Sequence, residues 1–256
     1  MMQWEAVEVI LEAVKQCPEV RAAFLKGSLA LGIADEYSDV DFYCLVDATQ
    51  MQQFLKKRLQ LLEKYRPLIY YSESNFVGPQ IVAVFDNGLH FDLYTVTMKT
   101  FPRVGQFQVL YDPDHLLDGF MAETTDHSLT WEQVERCFNS FSFSMLEFHS
   151  AWCRGDIAWS TRLASHLAGD LGVVLRHCYD PSNAQLGTKR LESVMPVGVR
   201  DELREALRFC CGEKIPSGVN MLASLMQETM EYLEKKSGRK VNWRLFRFMV
   251  ERLGCN

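Results

Sequence analysis

The sequence has no CxxC pair and no His/Cys spacing of a structural metal site, although eight cysteines are spread along it. Most stand among apolar neighbours, as thiols do in a reducing compartment. No run of about 18 apolar residues occurs, so no membrane span is expected. No basic-then-apolar leader with a small-residue cleavage site opens the chain, which makes cytoplasmic the expected location. Internal repeats and low-complexity tracts are missing as well. Positive charge is in deficit: 27 Lys and Arg against 33 Asp and Glu leave −6. That balance argues against a nucleic-acid surface spread over the protein, so no nucleic-acid partner is expected. A local basic cleft for a nucleotide remains compatible with it, since such a site needs only two or three cations. With 48% apolar and 23% charged residues in 256, wholesale disorder is excluded and one large or two modest domains fit.

What is present falls into two halves. Residues 4–16 carry apolar positions at helical spacing and end before Cys17-Pro18. Val20–Leu25 reads as a buried strand, Gly27-Ser28 as a turn and Asp39–Val46 as the next strand. Residues 50–65 read as one charged amphipathic helix ending before Pro67. Strand-like runs follow at 68–77, 81–85 and 89–96, the last two joined by Asp86-Asn87-Gly88, a strong hairpin signal. A short strand at 107–111 stops at Asp112-Pro113. Strand signals then cease. Trp131, Val134, Phe138, Phe141, Met145, Phe148 and Trp152 form a 3-4 apolar stripe, predicting a long helix with Thr130 as N-cap. Gly155-Asp156 opens a second helix to about Tyr179, and 198–211, 218–236 and 241–252 read as three more. The expected architecture is an α/β (α+β) N-terminal domain with a mixed sheet, residues 1–118, followed by an all-α helical bundle, 119–256.

The chemistry concentrates in the stretch from Leu25 to Phe42. Side chains alternate across a strand, so Asp39 and Asp41 share one face while Val40 and Phe42 face the core. Two carboxylates that close repel, and each prefers protonation unless a cation sits between them. A divalent ion with hard oxygen ligands resolves this, and Mg²⁺ takes one or two carboxylates plus substrate phosphates. Ten residues upstream, Gly27 permits a tight turn against a ligand, and the amides and hydroxyl at Ser28 suit phosphate oxygens. A third carboxylate, Asp92, lies in the apolar strand run 89–93, where a charge is expensive to bury without a partner. Three acidic residues on strand ends with a Gly-Ser turn describe a metal-assisted phosphoryl-transfer site.

This sequence resembles the polymerase-beta-like nucleotidyltransferases. Their signature is an apolar residue, a Gly-Gly or Gly-Ser turn, a short spacer and then Asp, apolar, Asp or Glu, apolar. Here it reads Leu25-Lys26-Gly27-Ser28, then Asp39-Val40-Asp41-Phe42. Lys26, where the family often has an apolar residue, is the one departure. The order of domains is similar to that of the antibiotic nucleotidyltransferases, which adenylylate aminoglycosides or lincosamides. Val109-Leu110-Tyr111-Asp112 resembles the strand that ends their catalytic domain, and Leu186–Leu191 with Pro196 resembles a segment whose lysine helps hold the triphosphate. The resemblance implies Mg²⁺ on Asp39, Asp41 and Asp92, with an NTP, ATP first among them, as co-substrate. It implies β/γ-phosphates on Gly27, Ser28 and Lys189, and Asp92 as metal ligand, as general base toward the acceptor hydroxyl, or as both. The enzyme would release pyrophosphate and act on a small molecule as monomer or homodimer.

Residues outside the motif carry weaker signals. Glu147 interrupts an apolar helix run and fits either a helix-face residue or an acidic lining for the acceptor pocket. Arg162, His166 and Asp170, spaced by four, fit a solvated stripe or a cleft wall. His90 shares the strand face of Asp92, as a partner for it or as a structural residue. Asp35 and Glu36 read as solvated loop. Two other functions stay open: a nucleotidyltransferase that modifies a protein partner, and a non-catalytic nucleotide-binding module of the same fold. A sugar-nucleotide transferase also uses an Asp-x-Asp but leaves the Gly-Ser turn without a purpose.

Overall fold

The computed structural model describes residues 1–75, 78–120 and 126–253, which form two compact units, Met1–Thr125 and Asp126–Asn256. In the first unit, α1 (Met2–Lys15) leads into β1 (Val20–Lys26), and the four-residue α2 (Gly27–Ala30) follows directly. Then come β2 (Val40–Val46), α3 (Met51–Leu55), α4 (Arg58–Leu62), β3 (Leu68–Asn75), β4 (Pro79–Phe85), β5 (His90–Val96) and β6 (Gln108–Tyr111). The six strands form one mixed sheet in the order β3-β4-β5-β2-β1-β6. Every neighbouring pair is antiparallel except β2 with β5, which run parallel. The Asp86-Asn87-Gly88 turn joins β4 to β5 as its sequence predicts, with Gly88 at φ 82°. Val77, which the sequence placed in the third strand, lies outside the described residues.

Strand alternation sorts the side chains into two layers. Val40, Phe42 and Cys44 of β2 and Phe91 and Leu93 of β5 pack with Ala6, Ile10 and Val14 of α1, Phe54 of α3 and Leu62 of α4. On the opposite face, Phe24, Tyr43, Leu45 and Val96 gather with Phe101 and Leu117. The sequence suggested one helix over 50–65; two short helices stand there instead. The buried Arg58 folds its Nε back onto the carbonyl of Leu55, 3.3 Å away, occupying the acceptor that a continuous helix would offer to residue 59. Lys57 meanwhile turns to the buried Glu19 at 2.5 Å. A buried carboxylate paired with a part-exposed lysine, and a buried guanidinium, thus override a good amphipathic pattern.

The second unit is helical: α5 (Trp131–Cys153), α6 (Ile157–Tyr179), α7 (Val197–Phe209), α8 (Ile215–Ser237) and α9 (Arg244–Leu253). Thr130 caps α5 in a full capping box with Gln133, and the Asp156 carboxylate accepts from the Trp159 amide to start α6. Phe138, Phe141, Met145 and Phe148 of α5 face Leu167, Leu171 and Leu175 of α6, Met226 and Met230 of α8, and Phe246 of α9. Among the described residues, no helix is long and apolar enough to cross a membrane.

Glu234, near the end of α8, is 6% exposed and ties that helix to the segment entering α9. Its carboxylate accepts from the Val241 amide at 2.8 Å, Trp243 Nε1 at 3.1 Å and Lys240 Nζ at 3.2 Å. Burial raises its pKa, but these donors outweigh burial and hold it below the ordinary value of 4.5. A depressed folded pKa means that the ionised form stabilises the fold above 4.5 and loses that contribution as pH falls through the folded value. Glu234→Ala is therefore expected to cost on the order of 2–3 kcal/mol at neutral pH, with a smaller cost in acid. Urea unfolding across this pH range checks it, and an equal cost at both ends would contradict the assignment.

Candidate active site

Strand pairing assembles the site. In the antiparallel β1/β2 ladder Lys26 stands opposite Asp41, which brings the Gly27-Ser28 turn beside the Asp-x-Asp pair. Gly27 has φ 65°, a conformation that L side chains rarely adopt. A Cβ placed there would lie 2.2 Å from Asp41 Oδ2, so the carboxylate packs into the space that only glycine leaves open. Next to it, the hydroxyl of Ser28 is buried and has no hydrogen-bond partner among the described residues. A buried hydroxyl without a partner is costly, and one facing a phosphate-sized anion would be satisfied.

The parallel β2/β5 pair supplies the other side, with Asp41 in register with Asp92 and Val40 with Phe91. Asp41 and Asp92 therefore share a face, and Asp39 and His90 continue it by one strand period each. His90, half exposed, lies between carboxylates of both strands: Nε2 is 3.1 Å from Asp92 Oδ1, and Nδ1 is 3.9 Å from Asp39 Oδ2. Asp92 is 7% exposed. Burial pushes its carboxyl above the ordinary carboxylate range, against the pull of His90 and of a hydrogen bond from Gln80, while Asp39 adds repulsion. Beneath the carboxylates, the rings of Tyr43 and Tyr94 stack at 4.3 Å. Burial first, then the neighbouring carboxylates, drives both phenols up, so they stay neutral donors.

Two further residues shape the rim. Lys26 Nζ donates to the carbonyls of Pro102 at 3.2 Å and Val104 at 2.5 Å, tying the segment before β6 to the end of β1. Its burial lowers the ammonium pKa, which Asp41 opposes. On α1, Gln3 is 1% exposed and donates to the carbonyls of Asp35, Glu36 and Ser38 at 3.1, 3.2 and 2.9 Å, anchoring the loop that delivers Asp39. Asp35, read as solvated loop, is exposed and its carboxylate accepts from Ser38 Oγ and the Tyr37 amide.

The donor set fits a hard divalent cation: carboxylate oxygens on adjacent strands, a hydroxyl with spare capacity and no soft ligand. Among the described residues, no group of three or more His, Cys, Asp and Glu is arranged to hold a metal by itself. The carboxylates supply only part of a coordination sphere, as they do for Mg²⁺ when phosphates and water complete it.

The remaining expected residues belong to the second unit. Lys189 is exposed on the turn between Gly187, at φ 53°, and Arg190, at φ 56°, and its carbonyl accepts from Arg176 Nη1 at 2.5 Å. Glu147 on α5 and Trp159 on α6 line two adjoining grooves of about 310 and 300 Å³. Arg162 and His166 line the first of these, and the Asp170 carboxyl, raised by burial, stands 3.7 Å behind His166. Sequence reading passed over Gln3, Gln80 and Trp159. Only Trp159 carried a signal there, a large aromatic just inside a helix N-cap.

A mixed sheet with this turn and these carboxylates, followed by a helical unit, is the layout of an antibiotic nucleotidyltransferase, which the chain resembles. A family model for streptomycin adenylyltransferase matches residues 2–171. That span covers more than half of the chain, which therefore belongs to the streptomycin adenylyltransferase family and is an adenylyltransferase by class. No curated protein matches the chain. Among solved structures, an aminoglycoside 6-adenyltransferase from Bacillus subtilis matches with a TM-score of 0.40 at 13% identity, over 98% of this chain and 99% of that one. At that distance the likeness adds nothing to the family assignment.

Gly27→Ala should force Asp41 out of its place while sparing the core. The expected result is a loss of ATP affinity, measured with Mg²⁺ present, by about 10- to 100-fold, the scale on which a binding site suffers when a supporting contact is lost. Titration calorimetry reads it, and wild-type affinity in a folded variant would contradict the packing argument.

Proposed function

We propose that this chain transfers AMP from ATP to a hydroxyl of an aminoglycoside, with streptomycin the first acceptor to try. The observation that carries the reading is the joint placement of Gly27, the unpartnered Ser28 hydroxyl and the in-register Asp41 and Asp92 on one sheet face. In this reading Gly27 and Ser28 hold the β/γ-phosphates through the turn's amides and the Ser28 Oγ. Asp39 and Asp41 would hold Mg²⁺, which when bound neutralises the triphosphate and orients it. Asp92 serves as general base: its buried, raised carboxyl suits taking a proton near neutral pH better than an exposed carboxylate would. It accepts the hydroxyl proton while the acceptor oxygen bonds to the α-phosphorus. The bond from that phosphorus to the bridging oxygen breaks, and pyrophosphate leaves. As in phosphoryl transfer generally, most of the acceleration comes from positioning and charge neutralisation.

Lys189 is assigned to the triphosphate on the strength of its sequence context. Glu147 is assigned to the acceptor: the groove it lines offers a carboxylate beside the half-exposed ring of Trp159, a pairing suited to ammonium or guanidinium groups.

Incubation with labelled ATP, Mg²⁺ and a panel of aminoglycosides and lincosamides tests the reading. The expected outcome is a nucleotidylated antibiotic with stoichiometric pyrophosphate, abolished in Asp41→Ala. Failure to bind any NTP at about millimolar concentration, the top of the usual range of KM, would remove its basis. Glu147→Gln is expected to raise the acceptor KM about 5- to 50-fold, a loss of roughly 1–2 kcal/mol of charge pairing, with the KM for ATP unchanged. An unaltered acceptor KM would detach the groove from the acceptor.

A further inference from the structure

A chain of polar side chains runs across three strands toward Asp92. On β4, Gln80 is in register with Tyr94 and Val82 with Asp92, so Gln80 lies diagonally next to Asp92 on the same face. Its neighbours along the strand, Ile81 to Phe85, are all apolar, and Gln80 itself is 7% exposed. Burying an amide there is unfavourable unless its groups are satisfied. Gln80 Oε1 accepts from Ser74 Oγ at 2.8 Å, Ser74 being its register partner on β3, which leaves the amide nitrogen of Gln80 for Asp92, its diagonal neighbour on the same face. An amide whose oxygen is already taken by a hydroxyl turns its nitrogen to the carboxylate, so the donor direction runs Ser74 to Gln80 to Asp92. From its own strand, His90 Nε2 closes on Asp92 Oδ1 at 3.1 Å.

We propose that Ser74 and Gln80 form a positioning relay for the reaction: the serine fixes which way the amide faces, and the amide fixes the Asp92 carboxylate against the sheet. With His90 opposite, the carboxylate is held between two side chains and keeps one orientation toward the acceptor hydroxyl. Gln80 and Ser74 are positioning residues, since neither is placed at the reacting atoms. The alternative role for such an amide, holding the sheet together, leads to different results on substitution. A glutamine that serves packing is replaced by methionine with a change in stability and little in turnover. One that orients a base is replaced with little change in stability and a loss in turnover.

This inference rests on Asp92 being the base in the proposed function, so its test has an arm that needs no acceptor. Crystal structures of the wild type and Gln80→Met would show the Asp92 carboxylate rotated from its wild-type orientation in the variant; an unmoved carboxylate overturns the relay whatever the activity. The kinetic arm uses the acceptor found by the panel. There Gln80→Met is expected to lower kcat about 10- to 100-fold, part of the 10²- to 10⁴-fold a positioned base contributes. The KM for ATP should stay within about 2-fold and the melting temperature within a few degrees. Ser74→Ala, at an exposed position that folding tolerates, should lower kcat by a smaller factor and add nothing on top of Gln80→Met, because both act through one amide. Additive losses, an unchanged kcat, or a rise in KM for ATP with kcat intact would each overturn it. Should the wild type modify no acceptor, the function reading fails, and the crystallographic arm still decides whether Gln80 holds Asp92.

Discussion

The site depends on one pairing, the parallel contact between β2 and β5. It is the one parallel contact among the sheet's five strand pairings, and it exists because the chain leaves β2, passes through α3 and α4, and comes back by way of the β3-β4-β5 meander. Parallel neighbours begin at the same edge of the sheet, so both strands bring the acids near their starts, Asp41 and Asp92, to one place. An antiparallel partner would have carried its acid to the far edge. Register is equally strict. Slipping β5 by one residue would send Asp92 into the layer filled by Phe42 and Phe85 and bring Phe91 or Leu93 to the carboxylate face. Helices α1 and α4 pack their apolar residues against the opposite layer, so the core that stabilises the unit also fixes where its charges go.

Those charges are kept at some cost. Asp39, Asp41 and Asp92 gather where the sheet is wet on one side and aromatic beneath, and the most buried of them resists ionisation. The surrounding groups answer this: His90 Nε2 closes on Asp92, Gln80 lies diagonally beside it on the same face, and the neutral Tyr43 and Tyr94 stand below. His90 stands between Asp92 and Asp39 and so keeps the carboxylates of the two adjacent chain segments close together.

How far the sequence discloses this varies with the range of the interaction. Gly27-Ser28 and Asp39-Val40-Asp41 are local, and strand alternation alone puts both carboxylates on one face, as found. Asp92 announces itself as an acid inside an apolar run. The capping box at Thr130 and the hairpin at Asp86-Asn87-Gly88 are equally local. Where a distant partner intervenes, the pattern misleads. The helix expected over 50–65 breaks because Arg58 and Lys57 answer to Leu55, Glu73 and Glu19, and no periodicity reports that. Gln80 looks like a neutral residue at a strand start, and Gln3 like a polar residue in the first turn of a helix. Each matters only through what the fold sets opposite it.

Gln3 carries this furthest. Its single amide nitrogen gathers three carbonyls of the loop at 35–38, so the geometry of Asp39 is referred to the opening turn of α1. The first turn of a helix is the turn most prone to fray, because its amides lack partners within the helix. The opening turn of α1 is thus coupled to the rim of the candidate site. A change that loosened this turn would be felt first as disorder at Asp39, and only later, if at all, as lost stability of the core.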